Sequence, residues 1–231
     1  MSNSPLVEYT KISPNRSTRT SKITKITIHH LAGVSTPEAI GEWFSKTTTQ
    51  ASSNYSIGND GRIGLHVEEK DRAWTSSSTA NDNCAVTIEV SNSSTGGDWP
   101  ISNKAMEALI RLCIDICKRN GIDGLVYTGD STGNLTRHNM FAATACPGPY
   151  LQGKFPYIAE QVNSALQPAA PELQVPDKPS AWAEEACSWA VDAGIIQGYG
   201  DGTFGWRDNL TREQMAVMLY RFAETLRGDM K

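Results

Sequence analysis

Ile26-Thr27-Ile28-His29-His30 and Val86-Thr87-Ile88-Glu89-Val90-Ser91 decide how this chain is built. Both alternate, the period of a strand with one face in a core. In the first, Ile26, Ile28 and His30 share the apolar side, and Lys25, Thr27 and His29 share the other. In the second, Val86, Ile88 and Val90 mark the core side, and Glu89 lies with the polar residues. If the two strands are neighbours, His29 and Glu89 project from the same sheet face. His30 then lies inward or at the strand end.

A second histidine and a cysteine follow in His138-Asn139-Met140-Phe141-Ala142-Ala143-Thr144-Ala145-Cys146-Pro147-Gly148. Two imidazoles and a thiolate are a donor set that a tetrahedral zinc ion accepts with its fourth position open for water. A carboxylate beside such a water accepts its proton. Taken together, His29, His138, Cys146 and Glu89 point to hydrolytic chemistry. His66 and His30 read as structural histidines.

The rest of the first 166 residues supplies strands and helices in alternation. Thr36-Pro37-Glu38 is an N-cap with proline at the first helical position. It opens a helix through Phe44 that should carry Ile40, Trp43 and Phe44 inward. Gly58-Asn59-Asp60-Gly61 is a hairpin turn. A helix from Asn103 to Asn120, ending at Gly121, aligns Cys113 and Cys117 with Met106, Leu109 and Ile110, so both thiols are expected in a core. Ser76 to Asn83 and Ser93 to Trp99 read as loops that would line a groove. Leu125-Val126-Tyr127 is expected as a strand, and Tyr157 to Leu166 as a helix. The opening 20 residues read as an arm over this domain or a looser lead-in. The expected fold is α/β, a mixed central β-sheet flanked by helices, with a small mainly α-helical C-terminal domain.

From about Lys22 to Leu151 the chain resembles the zinc-dependent N-acetylmuramoyl-L-alanine amidases, the family of phage endolysins, bacterial autolysins and peptidoglycan recognition proteins. The resemblance rests on Ile26 to His30, Ser53-Asn54-Tyr55-Ser56-Ile57-Gly58-Asn59-Asp60-Gly61-Arg62-Ile63, Thr87-Ile88-Glu89-Val90-Ser91-Asn92, and His138 through Gly148. It implies zinc (Zn2+) held by His29, His138 and Cys146, and hydrolysis of the amide joining N-acetylmuramic acid to L-alanine in bacterial peptidoglycan. It also implies a site tyrosine at Tyr55 and a water-activating acid at Glu89. Thr144 stands where many phage members carry a lysine credited with stabilising the oxyanion, so Thr144 or Tyr55 is the expected donor. Two other readings stay open. One is a non-lytic peptidoglycan-binding protein, whose relatives usually lack one zinc ligand, and the other a zinc peptidase acting on the stem peptide.

Gln167 to Pro179 contains four prolines and reads as a semi-rigid linker between residues 1–166 and a module at 180–231. The module resembles a single S-layer homology motif, by its Trp182-Ala183 opening, Gly198-Tyr199-Gly200-Asp201-Gly202-Thr203-Phe204 turn and Thr211-Arg212-Glu213 helix start. The Thr211-Arg212-Glu213-Gln214 run is a capping box, and Met215, Met218, Leu219 and Phe222 would face a core. Trp182 and Trp189 share a helix face and read as core too. Roughly 50 residues bury little surface alone, so packing against the first 166 residues or against other copies is expected; the module is also expected to bind a wall polymer, with Arg212 and Trp182 as candidates, and to assemble the chain into a homo-oligomer.

Composition narrows the alternatives. At 39% hydrophobic and 20% charged residues the chain is globular, and without a run of about 18 apolar residues no membrane span is expected. A net charge of -4 gives no basis for nucleic acid as partner. The five cysteines are odd in number and lack a CxxC pair, so a disulfide framework is not expected. The first ten residues carry no basic start and no apolar core of a secretory signal. The expectation is synthesis in the cytoplasm and action on the wall after release, by a holin-type route.

Overall fold

The structure is a computed structural model in which residues 2–167 and 177–228 are described. The chain divides into two compact units, Met1–Pro168 and Ala169–Lys231. Most of the proline-rich stretch 167–179 lies outside the described residues.

The first unit is built on a six-stranded sheet. In chain order its strands are β1 (Tyr9–Thr10), β3 (Lys25–His30), β4 (Tyr55–Ile57), β5 (Ile63–Leu65), β7 (Ala85–Val90) and β8 (Leu135–Arg137), in the spatial order β1-β5-β4-β7-β3-β8. All neighbours are parallel except β4 and β5, joined by the Gly58–Gly61 hairpin. Beside it, β2 (Arg16–Thr18) pairs antiparallel with β6 (Asp71–Ala73). The opening arm is therefore ordered, contributing β1 to one sheet and β2 to the other.

One face of the large sheet carries the apolar side chains of the alternating strands. Ile26, Ile28, Val86, Ile88, Val90, Tyr55 and Ile57 pack there against two helices, α3 (Asn103–Asn120) and α4 (Pro149–Leu166). Leu109, Leu112, Cys113 and Ile116 come from α3, and Phe155, Ile158 and Val162 from α4, all fully buried. Each such side chain contributes roughly 1.5–3 kcal/mol on removal from water. Ser102 caps α3 by accepting from Ala105 N–H at 3.1 Å, and Gly121 ends it in the left-handed region at φ 65°. On the opposite face, α1 (Pro37–Phe44) covers the β5 edge, where a Cβ at Gly64 would lie 3.0 Å from Pro37 Cβ.

Several expectations need correcting. Trp43 is 47% exposed and stacks on the buried Phe44 instead of turning inward. Residues 79–84 form a short helix, α2 (Thr79–Cys84), capped by Ser78, where a loop was expected. Leu125-Val126-Tyr127 is not a strand. Asn163 accepts Leu125 N–H at 2.6 Å and Asn134 accepts Val126 N–H at 2.6 Å, so side chains take the place of a ladder. The strand beside β3 is instead β8. Finally, α4 begins at Pro149, eight residues before the expected start, because Pro156 is accommodated inside it. A proline there removes one N–H, and the buried face of Leu151, Phe155, Ile158 and Val162 holds the helix together.

In the second unit, α5 (Glu184–Asp192) and α6 (Arg212–Gly228) are joined through a turn stapled by Asp177, which accepts from Phe204 N–H and Gly205 N–H at 2.6 and 3.0 Å. The capping box is reciprocal: Thr211 Oγ1 accepts from Gln214 N–H at 3.1 Å, and Gln214 Oε1 accepts from Thr211 N–H at 2.9 Å. Ala190 and Ile195 are buried. The tryptophans differ from expectation, Trp182 being 90% exposed and Trp189 53%, and Met215, Leu219 and Phe222 of α6 are exposed as well. Too few residues surround these helices to cover them. No helix among the described residues is long and apolar enough to cross a membrane.

Candidate active site

Register places the polar side chains of the sheet in two rows. Along the upper row, Ser56 pairs with Glu89 and Glu89 with His29. Arg137 ends β8 opposite Ile28, and His138 follows it into a 3-10 turn. Along the lower row, Thr27 pairs with both Thr87 and Thr136, with Asn54 clamped to Thr87. The upper row meets the loop that carries Cys146.

His29, His138 and Cys146 each offer one ligand atom, and these atoms all lie within 4.8 Å of one another. Cys146 Sγ is 3.6 Å from His29 Nδ1 and accepts from the His30 N–H at 3.4 Å. The two imidazole rings are 4.7 Å apart between centroids. Glu89 Oε1 stands 3.9 Å from His29 Nδ1. Thr144 Oγ1 accepts from Cys146 N–H at 3.2 Å, bracing the loop below the thiol.

The electrostatics suit a cation. Burial, with His138 and His30 alongside, holds His29 well below the usual histidine range, so its ring is neutral and free to donate a lone pair. Burial likewise lowers His138, against the opposing pull of Asp82. The Cys146 thiol is pushed up by burial and by Glu89, and burial lifts Glu89 to about 8. His29 Nε2, His138 Nε2 and Glu89 Oε2 are buried without a hydrogen-bond partner. Two neutral imidazoles and a thiol converging within 4.8 Å beside a buried carboxyl fit a divalent ion of zinc type.

Tyr55 is not part of this arrangement. It pairs with Ile88, not Glu89, which turns its ring to the apolar face of the sheet. Its hydroxyl donates to Glu69 at 2.7 Å and accepts from Ser4 N–H at 2.9 Å. It belongs to a buried structural cluster in which Arg119 also binds Glu69. The β4 residue on the site face is Ser56, whose hydroxyl donates to His66 Nε2 at 2.7 Å. Sequence reading also passed over the lower row. Its signal was present, since Thr27, Thr87 and Thr136 each stand two residues before His29, Glu89 and His138.

Residues 175–216 match the S-layer homology domain. A stretch of 59 residues is 41% identical to the outer membrane protein SlpA of Thermus thermophilus, a match covering 25% of this chain and 6% of that protein. The chain thus spans a small fraction of the curated relatives it matches. Among solved structures, PlyL superposes with a TM-score of 0.53 at 16% identity over 67% of this chain and 95% of its own. A mutant endolysin from Bacillus subtilis does so with a TM-score of 0.53 at 18% identity over 67% and 97%. These similarities show the fold. Because residues 19–149 match the family model for N-acetylmuramoyl-L-alanine amidase, more than half of the chain, the protein belongs to that amidase family.

Proposed function

We propose that the first unit hydrolyses the amide between N-acetylmuramic acid and L-alanine in bacterial peptidoglycan, with zinc held by His29, His138 and Cys146. The observation that carries this reading is the convergence of those three donors within 4.8 Å beside Glu89. When bound, zinc supplies a Lewis acid for the scissile carbonyl and lowers the pKa of water from near 16 to roughly 7.

The chain's own groups complete the chemistry. Glu89, in register with His29, takes the proton of the attacking water and returns it to the leaving amine. Burial raises its affinity for the proton it takes up. The His30 N–H and the Thr144 hydroxyl fix the Cys146 loop. Thr144 is the remaining candidate donor to the oxyanion, an effect often worth a few kcal/mol.

The second unit serves attachment: the S-layer homology match and the exposed Trp182 support binding to a wall polymer. Its uncovered α6 face also supports self-assembly.

Digestion of isolated peptidoglycan by zinc-loaded protein, with product ends identified by mass spectrometry, tests the activity. New L-alanine amino termini on intact glycan, absent with His29→Ala, are the expected result. New termini within the stem peptide would make it a peptidase, and binding without new ends would make it a receptor.

A further inference from the structure

Two loops leave the carboxyl ends of the strands that carry His29 and Glu89, and each holds a residue other than glycine in the left-handed region. Ala32 after β3 has φ 56°, and Trp99 after β7 has φ 55°. For a residue as bulky as tryptophan that conformation is an outlier, whereas glycine adopts it freely. The Trp99 loop also turns through positive φ at Gly96 and Gly97, at 82° and 57°. Glycine thus fills those two positions, and tryptophan keeps the third. Core packing does not explain the choice, since Trp99 is half-buried and outside the apolar core. Strained residues of this kind gather at functional sites.

Asn92, fully buried, holds Trp99 in place. Its Nδ2 donates to the Trp99 carbonyl at 2.8 Å. Its Oδ1 accepts from Gly33 N–H at 3.2 Å and its N–H donates to the Gly33 carbonyl at 2.9 Å, so one residue ties the two strained loops together. The neighbouring Asp98 carbonyl accepts from Tyr150 N–H at 3.0 Å, which fastens the Trp99 loop to the start of α4. The indole meets the His30 ring with centroids 5.5 Å apart and planes at 84°, and a Cβ on Gly148 would lie 3.2 Å from Trp99 Cβ. His30 follows His29, and Gly148 stands two residues after Cys146. Trp99 is therefore fixed against the chain segments that present two of the candidate ligands.

We propose that Trp99 is a specificity-determining residue, its ring a fixed platform against a sugar ring of the glycan. A sugar ring presents an apolar C–H face and a rim of hydroxyls. The indole offers a flat apolar face to the first. Beside it Ser93, Ser94, Thr95 and Asp98 are exposed and offer short polar side chains to the second. A ring locked by its backbone loses little freedom on binding, which is what the strained conformation secures. This inference deepens the amidase reading above and rests on it.

The test is steady-state kinetics of the full chain on a soluble disaccharide muropeptide, with thermal unfolding of the same preparations. Trp99→Gly should raise KM about tenfold, the size of one aromatic contact, with kcat within about threefold of the parent. Its unfolding midpoint should equal or exceed the parent's, because glycine relieves the strained φ. Trp99→Tyr keeps an aromatic face and should hold KM within about threefold. Inhibition by peptide-free glycan should weaken in step with KM, and inhibition by free stem peptide should not change. A KM for Trp99→Gly within about twofold of the parent overturns the inference, as does an equal rise for Trp99→Tyr. A lowered midpoint for Trp99→Gly overturns it by making the ring a packing element, and weakened stem-peptide inhibition does so by placing the ring on the peptide. A parent that turns over no muropeptide overturns the amidase reading instead. Calorimetric binding of peptide-free glycan to the parent and to Trp99→Gly then decides the role of the ring by itself.

Discussion

His29 and Glu89 stand opposite one another on neighbouring parallel strands, with Nδ1 and Oε1 3.9 Å apart. With His29 held neutral by burial, this is no ion pair. The carboxyl is left free for proton transfer. Glu89→Gln preserves the shape of the side chain and removes its basicity, so turnover should fall about 10²–10⁴-fold. Zinc content, measured by atomic absorption, should stay at the parent level, since the three ligands are untouched. Full activity on cell walls would remove Glu89 from the reaction.

Tyr55 provides the complementary case. Its hydroxyl bridges Glu69 and the Ser4 amide on the far face of the sheet. Tyr55→Phe should therefore leave activity within about twofold and lower unfolding free energy by about 1–3 kcal/mol, since the Glu69 carboxylate loses a donor while buried. Urea denaturation and turnover on the same preparation check both halves. A large activity loss with unchanged stability would return Tyr55 to the site.

The contrast shows which parts of the molecule a sequence makes legible. Alternation in Ile26–His30 and Val86–Ser91 carried the faces of the two central strands, and the register supplied the pairing of His29 with Glu89. Capping chemistry carried the start of α1 and the end of α3, because Thr36 and Gly121 act locally. The resemblance at Tyr55 carries no register, and one residue's shift reverses the face. The run at Leu125–Tyr127 has the composition of a strand, yet Asn134 and Asn163, distant in sequence, claim its N–H groups.

Attachment through the second unit makes a separate prediction. Trp182 is 90% exposed, so truncating it removes almost no packing within its own unit. Trp182→Ala should reduce retention of the full chain on isolated cell walls several-fold in a pull-down assay, while turnover on a soluble muropeptide is unchanged. An aromatic face against sugar or polymer contributes on the order of 1 kcal/mol. Undiminished retention would assign wall binding to other residues.

His66 gives the stability a pH dependence of its own. It is fully buried, with Ser56 Oγ–H donating to Nε2 at 2.7 Å. Its Nδ1 faces the Lys11 carbonyl at 3.3 Å, which can only accept, so Nδ1 carries the proton and the ring is neutral. Burial lowers its pKa from 6.5 to about 4, only partly offset by the Lys11 contact. Between those values the unfolded chain binds the extra proton and the folded chain does not. The contribution is therefore fully present above about pH 6.5 and is lost as pH falls towards 4, a change of about 3 kcal/mol at most. Burial lowers His29, His30 and His138 too, so the total slope contains several groups. Comparing the parent with His66→Gln by urea denaturation at pH 7 and pH 4.5, with chelator present throughout, isolates the His66 share. The variant should lose less stability between the two pH values. Equal losses would mean that His66 is already protonated in the fold.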